Sequence, residues 1–260
     1  MNEFLQLSEY AIKQASGIIL KYYNSSYEVQ MKGKGNPVTD ADIEADAILK
    51  DILMKETPDF GWLSEETRDS SERLNKDRVW VVDPLDGTKE FVEGIPNFVI
   101  SIGLVEEGKP ILGAIYNPVS EELFTAYSGS GVKLNGHGYT ISQNNEFNKM
   151  SMLNSRSETK AGLWKPYEKY FNKVIPIGSI AYKLALVSTS QSDMVASLKP
   201  KNEWDICAGH CLINESGGSL ITSLGQEITY NNPKTLITPG LIAGSKSSVQ
   251  DMIDLIKTTQ

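Results

Sequence analysis

Residues 79–88 read Val-Trp-Val-Val-Asp-Pro-Leu-Asp-Gly-Thr and carry the strongest local signal in the chain. The apolar run Val79–Val82 predicts a β-strand that is buried on both faces. Such a strand delivers Asp83 to its carboxyl end, Pro84 stiffens the turn that follows, and Gly87 permits a tight or positive-φ backbone. The segment therefore predicts acidic side chains presented at the end of a buried strand.

The two carboxylates of this segment, Asp83 and Asp86, have the Leu85 carbonyl between them and can converge on one point. Carboxylate and carbonyl oxygens form a hard ligand set that suits Mg²⁺ or Ca²⁺. Two unpaired carboxylates at a strand end would repel each other without a cation. A plain β-turn is the alternative, because Asp-Pro and Asp-Gly are common turn signals.

A different phosphatase mechanism also uses an apolar strand that ends in Asp. Haloacid-dehalogenase-type phosphatases place a nucleophilic Asp there and an acidic Asp two residues later, usually near the start of the chain. Here Asp83 and Asp86 are three residues apart and follow two predicted helices. Both differences disfavour a nucleophilic aspartate.

Two helices precede this strand. Apolar residues recur at helical spacing over residues 4–23, and a second helix is predicted at Asp40–Glu56. Residues 26–38 are rich in glycine and predict a loop or a short hairpin. Thr39 and Asp42 fit a capping box that opens the second helix, which is a purely structural interpretation of both residues.

Two further acidic segments lie at the ends of predicted elements. Glu65 and Glu66 follow a predicted strand at 60–64, where an exposed acidic loop is the alternative. Asp205 precedes an apolar helix and is well placed as its N-cap, with Gly217 at the helix end. A capping carboxylate can also turn an oxygen toward a metal, so the two roles are compatible.

The strand pattern continues at 98–106, 111–116 and 121–127 and then changes to alternating strands and helices. Further strands are predicted at 149–153, 173–177, 193–197, 219–222 and 241–244, and helices at 164–171, 179–190, 205–216 and 246–257. This alternation predicts a second sheet with crossover connections. We expect an N-terminal α+β lobe at residues 1–135 that carries the metal-binding motifs, and a C-terminal α/β lobe at 136–260 that completes the active site.

The overall composition is that of a soluble globular protein, with 260 residues, 40% hydrophobic and 22% charged residues, and a formal net charge of −8. The acidic balance argues against nucleic-acid polymers and anionic membranes as partners. No apolar run approaches the ~18 residues of a membrane span, and the first residues lack a signal-peptide pattern. Cys207 and Cys211 lie in one apolar stretch and do not form a disulfide framework. We therefore expect a cytoplasmic location.

Taken together, four segments resemble the inositol monophosphatase superfamily of Mg²⁺-dependent, lithium-sensitive phosphatases. The matching signatures cover nearly the whole chain in the family's order and are Thr39-x-x-Asp42, Glu65-Glu66, Asp83-Pro-Leu-Asp-Gly-Thr88, and Trp204-Asp205 with Gly217-Gly218 downstream. The resemblance implies an α+β fold, a layered αβαβα sandwich of the inositol monophosphatase and fructose-1,6-bisphosphatase type. It also makes a homodimer an expected assembly, because dimers are frequent in the family.

The resemblance further implies a metal site and a catalytic pair by matching positions. The ligands of two or three Mg²⁺ ions look like Glu65, which also counts among the catalytic residues, Asp83, the Leu85 carbonyl, Asp86 and Asp205. Asp42 and Thr88 look like the catalytic pair that orients the attacking water. Gly87 and Thr88 would offer backbone N–H groups to the phosphate, as helix starts do.

Within the superfamily the sequence looks more like the bisphosphate nucleotidases of sulfur metabolism, the CysQ type. Residues 86–91 read Asp-Gly-Thr-Lys-Glu-Phe, whereas inositol phosphatases more often carry Thr-Asn-Phe in this motif. The inositol branch also has an acid before Trp-Asp that binds substrate hydroxyls, but residues 196–201 contain two lysines and no acid, which suits a second phosphate. The nucleotidase motif Gly-Ser-Ser-x-Lys is one residue longer here and ends at Lys183, a candidate phosphate-binding residue.

The sequence therefore predicts a Mg²⁺-dependent phosphomonoesterase that acts on a small phosphorylated metabolite. The favoured reaction removes the 3′-phosphate of adenosine 3′,5′-bisphosphate to give AMP. Inositol phosphates, fructose 1,6-bisphosphate and histidinol phosphate are alternative substrates in the same superfamily. A non-catalytic metal- or nucleotide-binding protein is the alternative from another class, and the joint presence of the metal acids and the Thr88–Asp42 pair disfavours it.

Overall fold

The computed structural model describes residues 2–23, 29–33 and 36–259. The helices in this part of the chain are α1 (Glu3–Tyr23), α2 (Asp40–Glu56), α3 (Thr88–Val92), α4 (Arg156–Lys160), α5 (Ile180–Ser188), α6 (Glu203–Glu215) and α7 (Lys246–Thr259). The strands are β1 (Val29–Gly33), β2 (Asn36–Thr39), β3 (Gly61–Ser64), β4 (Arg78–Asp86), β5 (Val99–Glu106), β6 (Lys109–Asn117), β7 (Glu122–Tyr127), β8 (Val132–Leu134), β9 (His137–Tyr139), β10 (Ser151–Ser155), β11 (Lys173–Ile177), β12 (Met194–Ser197), β13 (Lys201–Asn202), β14 (Ser219–Thr222), β15 (Leu236–Ile237) and β16 (Leu241–Gly244).

The first two helices form where the sequence predicts them. The buried face of α1 repeats at helical spacing, as in Ile12, Ala15 and Ile19. Helix α2 has the predicted bounds and begins with the predicted capping box, in which the Thr39 amide donates to Asp42 Oδ2 at 2.7 Å. The short hairpin considered for residues 26–38 is confirmed where β1 pairs antiparallel with β2. The remainder of that prediction, at residues 26–28, 34 and 35, lies outside the described residues.

A seven-stranded sheet carries the first half of the chain, in the order β3-β4-β5-β6-β7-β8-β9. Strand β3 runs parallel to β4, and the other neighbours are antiparallel. Strand β4, the second strand of this sheet, is buried on both faces, as predicted. Its residues Trp80 and Val82 join the core under α1 and α2, and Val79 and Val81 join the core on the opposite face.

A second, five-stranded sheet has the order β11-β10-β12-β16-β14. Strand β10 is parallel to both of its neighbours, whereas β16 is antiparallel to β12 and β14. The crossover from β11 to β12 runs through α5, which confirms the expectation of a second sheet with helical crossovers. The strands predicted at 149–153, 173–177, 193–197, 219–222 and 241–244 form with end shifts of at most two residues.

The elements stack in five layers and confirm the αβαβα architecture. Helices α1 and α2 cover one face of the seven-stranded sheet. Helices α5 and α6 pack between the two sheets, through residues such as Leu184 and Ile206. Helix α7 covers the outer face of the second sheet, where Val249 and Ile253 join the core with Met152. Each sheet therefore has both faces covered.

A pair of glycines on the first sheet determines how closely α6 approaches it. Gly103 on β5 and Gly113 on β6 are directly opposite each other in the ladder. A Cβ on Gly103 would lie 2.6 Å from Cys207 Sγ, and one on Gly113 would lie 2.3 Å from the Ala208 carbonyl oxygen. Helix α6 therefore sits in a groove that side chains would fill, and Cys207 is buried there as a free thiol, as expected for a packing residue.

One prediction about the middle of the chain is wrong, and one short helix was missed. Residues 164–171 form turns and a short 3₁₀ segment instead of a helix. Trp164, Tyr167 and Phe171 are spaced like a helical face because all three pack into the core under α7. Pro166 disfavours a helical conformation of Lys165, the residue before it. Helix α4 was not predicted, because five residues are too few to establish a helical period.

Strands β8 and β9 were also not predicted. Their connection contains Asn135 and Gly136, both with positive φ, which is the signature of a two-residue hairpin turn. His137 is the first residue of β9. The first sheet ends at Tyr139, and the expected division into lobes at residues 135 and 136 stays a prediction.

Membrane insertion would require a long apolar helix. None of the helices in the described ranges combines the length and the apolar character needed to cross a bilayer.

We expect Gly113→Ala to destabilise the protein by roughly 3 kcal/mol, because the added methyl group would overlap a backbone carbonyl that cannot rotate away. The matched control is Gly138→Ala, since nothing lies within 4 Å of a Cβ at that position. Urea denaturation of both variants measures the effect. Equal denaturation midpoints for Gly113→Ala, Gly138→Ala and the parent protein would contradict the assigned α6 packing.

Candidate active site

A bulge in β4 brings the two aspartates of the strongest motif together. Strand β4 continues through Asp86 and does not end at Asp83 as the sequence suggested, and its register against β5 shifts between these residues. In a regular strand, residues three apart point to opposite faces. The extra residue of the bulge turns Asp83 and Asp86 toward the same side. The Leu85 amide donates to Asp83 Oδ1 at 3.0 Å, which fixes the orientation of that carboxylate. Gly87 follows with φ of 106°, as its predicted conformational role requires.

The candidate catalytic pair is formed by α2 and the start of α3. Thr88 Oγ1 lies 2.9 Å from Asp42 Oδ1 and 3.1 Å from the Leu85 carbonyl oxygen. A hydroxyl has one proton, so Thr88 donates to only one of them at a time, and the charge-assisted bond to Asp42 is the stronger. Asp42 is buried, and its Oδ2 accepts from the Thr39 amide and hydroxyl, each at 2.7 Å. The structure thus brings Thr88 and Asp42 together, in the arrangement expected of them.

The start of α6 places Asp205, but not as the predicted N-cap. Asn202 is the N-cap, and Asp205 occupies the third helical position of a capping box, where its Oδ2 accepts from the Asn202 amide at 2.8 Å. The prediction was wrong by one helical turn because the helix begins earlier than the apolar pattern indicates. Gly217 follows the helix with positive φ, as expected. One oxygen of Asp205 is therefore fixed by the helix start.

Three of the predicted ligands converge on one point. Carboxylate oxygens of Glu65, Asp83 and Asp205 all lie within 4.8 Å of one another. Burial raises the pKa of Asp83 well above its ordinary value, and the charges of Glu65 and Asp86 raise it further. Burial, with the charges of Asp86 and Glu65, also raises the pKa of Asp205, to about 8. Anions at this spacing favour either protonation or a bound cation.

Asp86 lies beside this cluster and is held by the segment that leads into α5. Its Oδ2 accepts from the Ser179 hydroxyl and from the Ala181 amide, both at 2.6 Å. Burial raises its pKa, whereas the Ser179 hydrogen bond, the Ala181 amide and the Lys183 charge lower it. Asp86 thus joins the first sheet to α5 across the site.

Lys183 is buried beneath the same segment. Its Nζ donates to the carbonyl oxygens of Ile177 and Gly178, at 3.0 and 3.2 Å. Burial lowers its pKa to about 8, although the nearby charge of Asp86 raises it. The ammonium group holds two backbone carbonyls that lead to Ser179, and a role in binding phosphate stays a prediction.

A cleft of about 590 Å³ opens at the carboxylates and is shared by both halves of the chain. Glu65, Asp86 and Asp205 line it together with Gly87 and Thr88. Its cationic side chains are Lys89, Arg156, Lys160, Lys183 and Lys201. The cleft therefore has an acidic centre that suits a metal ion and a largely basic wall formed by these cationic side chains.

One ion-pair cluster of the cleft was missed by the sequence analysis. Arg156 donates from Nη1 to Glu90 at 2.7 Å and from Nη2 to Glu93 at 2.6 Å. Glu90 also packs against Gly178, where a Cβ would lie 1.9 Å from its Cδ. Residues from α3, α4 and the start of α5 meet only in three dimensions, so no local pattern could have shown this contact.

The residues present fit a hard divalent cation. Three carboxylates form the cluster and the Asp86 carboxylate lies beside it, and all of these are oxygen donors. The predicted fifth ligand, the Leu85 carbonyl oxygen, lies 3.1 Å from Thr88 Oγ1. Neither cysteine belongs to this set, since Cys207 and Cys211 are buried in the packing of α6. Oxygen-only sites of this kind prefer Mg²⁺, Mn²⁺ or Ca²⁺ over softer metals.

The chain resembles known proteins along nearly its whole length. The model of the inositol monophosphatase family matches residues 1–258. Inositol monophosphatase 2 of Solanum lycopersicum is 31% identical over 238 residues, which cover 87% of this chain and 90% of that protein. The 3′(2′),5′-bisphosphate nucleotidase CysQ of Escherichia coli strain K12 is 33% identical over 233 residues, which cover 88% and 94%.

Among solved structures, the extragenic suppressor protein suhB from Bartonella henselae has a TM-score of 0.88. It is 26% identical in sequence, and the alignment covers 98% of this chain and 99% of that one. The layered fold and the four motifs therefore agree with the same family.

We expect the metal-free protein to become less stable as the pH rises from about 6 to about 8.5. The pKa of Asp205 is raised from 3.8 to about 8 in the folded protein, so the folded state binds this proton more tightly than the unfolded state does. The resulting stabilisation is lost as the pH rises toward 8 and the proton dissociates. Melting temperatures measured in EDTA across this range test it. Mg²⁺ should remove most of the pH dependence, since it replaces the protons. An equally steep dependence in Asp205→Asn would contradict the assignment.

Proposed function

Because the chain belongs to the inositol monophosphatase family and is a phosphatase of that superfamily, we propose that it is a Mg²⁺-dependent phosphomonoesterase that removes the 3′-phosphate of adenosine 3′,5′-bisphosphate to give AMP. The observation that carries the substrate proposal is the set of cationic side chains that line the cleft beside the acidic centre. Lithium sensitivity, a place in sulfur metabolism and a cytoplasmic location accompany this proposal.

The basic wall supports a substrate with two phosphate groups. Among the cleft's cations, the ammonium groups of Lys89 and Lys160 have no hydrogen-bond or ion-pair partner within the described residues. Lys201 lies at the edge of the acidic centre, where its charge lowers the pKa of Asp205. The loop that leads to Asp205 carries no acid between residues 196 and 202. A phosphate group away from the metal centre would thus meet ammonium groups where a polyol-binding site would need acceptors.

Glu65, Asp83, Asp86, Asp205 and the Leu85 carbonyl would hold two or three Mg²⁺ ions. When bound, these ions supply Lewis-acid stabilisation of the charge on the phosphoryl group and its leaving oxygen. The carboxylates would otherwise repel an anionic substrate, so substrate affinity should require metal.

The chain's own residues orient the nucleophilic water. The Thr88 hydroxyl donates a hydrogen bond to Asp42, so its oxygen is left to accept a hydrogen bond from water. Asp42 cannot rotate away, because Thr39 holds its other oxygen. The pair thus sets the direction from which water attacks phosphorus and receives its proton. Gly87 and Thr88 line the cleft at the start of α3, where their amides would contact the phosphate.

Inositol monophosphatase activity is the second candidate. The tomato inositol monophosphatase is nearly as similar to this chain as the bacterial CysQ protein is, at 31% against 33% identity. Overall similarity therefore does not separate the two substrates, and the wall of the cleft carries the preference.

We expect adenosine 3′,5′-bisphosphate to exceed inositol 1-phosphate by at least about 10-fold in kcat/KM, which corresponds to roughly 1.4 kcal/mol. A panel that also contains fructose 1,6-bisphosphate and histidinol phosphate, assayed by phosphate release with Mg²⁺, measures this preference. Lys201→Ala should reduce it, whereas the matched control Lys199→Ala should not, because Lys199 is exposed outside the cleft. A reversed ratio would assign the chain to the inositol or sugar branch.

We expect Thr88→Ala and Asp42→Asn each to lower kcat by a factor of about 10²–10⁴ with little change in Mg²⁺ affinity. The double variant should be hardly worse than either single one, because the two groups act as a unit. Thr88→Ser keeps the hydroxyl and is the conservative control. Steady-state kinetics at saturating Mg²⁺ measures all four. Strictly additive losses would argue against the pair, and a phosphorylated Asp83 trapped by rapid quench would overturn the mechanism.

A further inference from the structure

We propose that Asp46, an acid outside the catalytic scheme, is the positioning residue that fixes Glu65 in the carboxylate cluster and thereby sets metal affinity. The inference rests on the proposed function only in taking this cluster as the metal site. Asp46 lies on α2 and is only 6% exposed. Among the described residues, the acids close enough to share an ion are Glu65, Asp83 and Asp205, so Asp46 would act on the metal through other groups.

Both oxygens of Asp46 accept hydrogen bonds from the segment that carries Glu65. Ser64 donates its hydroxyl to Asp46 Oδ1, and Thr67 donates its hydroxyl to Asp46 Oδ2. These two residues stand immediately before and after the Glu65-Glu66 pair. The carboxylate of Asp46 therefore holds the loop on both sides of the predicted ligand Glu65. We call these two hydrogen bonds, from Ser64 and Thr67 to Asp46, the clamp.

Backbone hydrogen bonds support the clamp. The Glu65 amide donates to the Val82 carbonyl oxygen at 3.3 Å, next to Asp83. The Glu66 amide donates to Ser64 Oγ at 3.4 Å, so the hydroxyl that Asp46 holds in turn holds the loop backbone. The position from which Glu65 reaches the cluster is thus defined by β4 on one side and by Asp46 on the other.

Helix α2 links this clamp to the water-orienting pair. Asp42 and Asp46 are four residues apart, so they lie on the same helical face about 6 Å apart along the axis. Asp42 holds Thr88, and Asp46 holds the loop of Glu65. One rigid helix therefore sets the spacing between the group that orients water and a group that binds metal.

The double acceptance also explains why a carboxylate is needed at this position. Ser64 and Thr67 both donate, and only an ionised carboxyl group offers two acceptor oxygens. An asparagine accepts one of these hydrogen bonds and presents an NH₂ group to the other hydroxyl. Asp46→Asn thus keeps the size of the side chain and loosens one end of the clamp.

The test measures metal binding directly on the whole protein, by titration calorimetry with Mg²⁺ and by electron paramagnetic resonance with Mn²⁺. We expect Asp46→Asn to raise the Kd for Mg²⁺ and for Mn²⁺ by about 10-fold or more, the range typical when a residue that orients a metal ligand is changed. At saturating Mg²⁺ the fall in kcat should be smaller than the rise in the metal Kd, because every metal ligand is retained. The matched control is Asp51→Asn, an exposed acid on the same helix, which should leave the Kd unchanged.

A second variant reaches the same clamp from its other side. Ser64→Ala with Thr67→Val removes both donors, and it should raise the metal Kd as Asp46→Asn does. Combining all three changes should add little, because they break the same interaction. This loop variant also tests the proposal if Asp46→Asn fails to fold.

A merely structural role for Asp46 predicts a different result. It would lower the melting temperature while leaving the Kd for Mg²⁺ and Mn²⁺ unchanged, and that outcome overturns the proposal, as would additive losses in the combined variant. Absence of phosphatase activity in the parent protein would overturn the proposed function alone, since the binding measurements require no turnover.

Discussion

The electrostatic repulsion among buried carboxylates is the constraint on which the site depends. Glu65, Asp83 and Asp205 come from three separate segments, yet their oxygens lie within 4.8 Å of one another. Burial makes the negative charges of Asp83 and Asp205 more costly, because little solvent remains to screen them. The fold must therefore hold these groups against their own repulsion until protons or cations neutralise them. Burial and the neighbouring carboxylates raise the pKa values of Asp83 and Asp205, and the same two features make the cluster suitable for a metal ion.

The structure holds the acids by engaging one oxygen of each aspartate with a fixed donor. Asp83 accepts from the amide of Leu85 in a β-bulge, Asp86 from the Ser179 hydroxyl and the Ala181 amide, and Asp205 from the amide of Asn202 at a helix start. These donors belong to elements that are themselves closely packed, since α6 sits in the groove over Gly103 and Gly113. Core packing thus sets the orientation of the carboxylates, because the core residues Leu85 and Ala181 supply the amides that hold Asp83 and Asp86.

The sequence predicted the motifs of the site better than the contacts between them. The buried strand, the capping box at Thr39 and Asp42 and the acids after each strand have local signals, so their elements could be placed. The bulge that brings Asp83 toward Asp86 and the Arg156–Glu90 ion pair depend on register and on contacts between segments, which no local pattern encodes. The helix predicted at residues 164–171 is absent, because the aromatic side chains that pack under α7 recur at helical spacing although the backbone forms turns.

Substrate choice within this fold must depend on few residues, because overall similarity is an average over the core. The layers that bury α6 against β5 and β6 are needed whatever the substrate, so they are expected to be alike in relatives with different activities. In the wall of the cleft, the ammonium groups of Lys89 and Lys160 make no hydrogen bond or ion pair within the described residues, so packing does not fix these two side chains in the same way. The charges of the wall act on whatever group lies opposite the metal centre, and an ammonium group favours a second phosphate over a neutral hydroxyl. The proposed substrate preference therefore depends on this wall and not on the shared core.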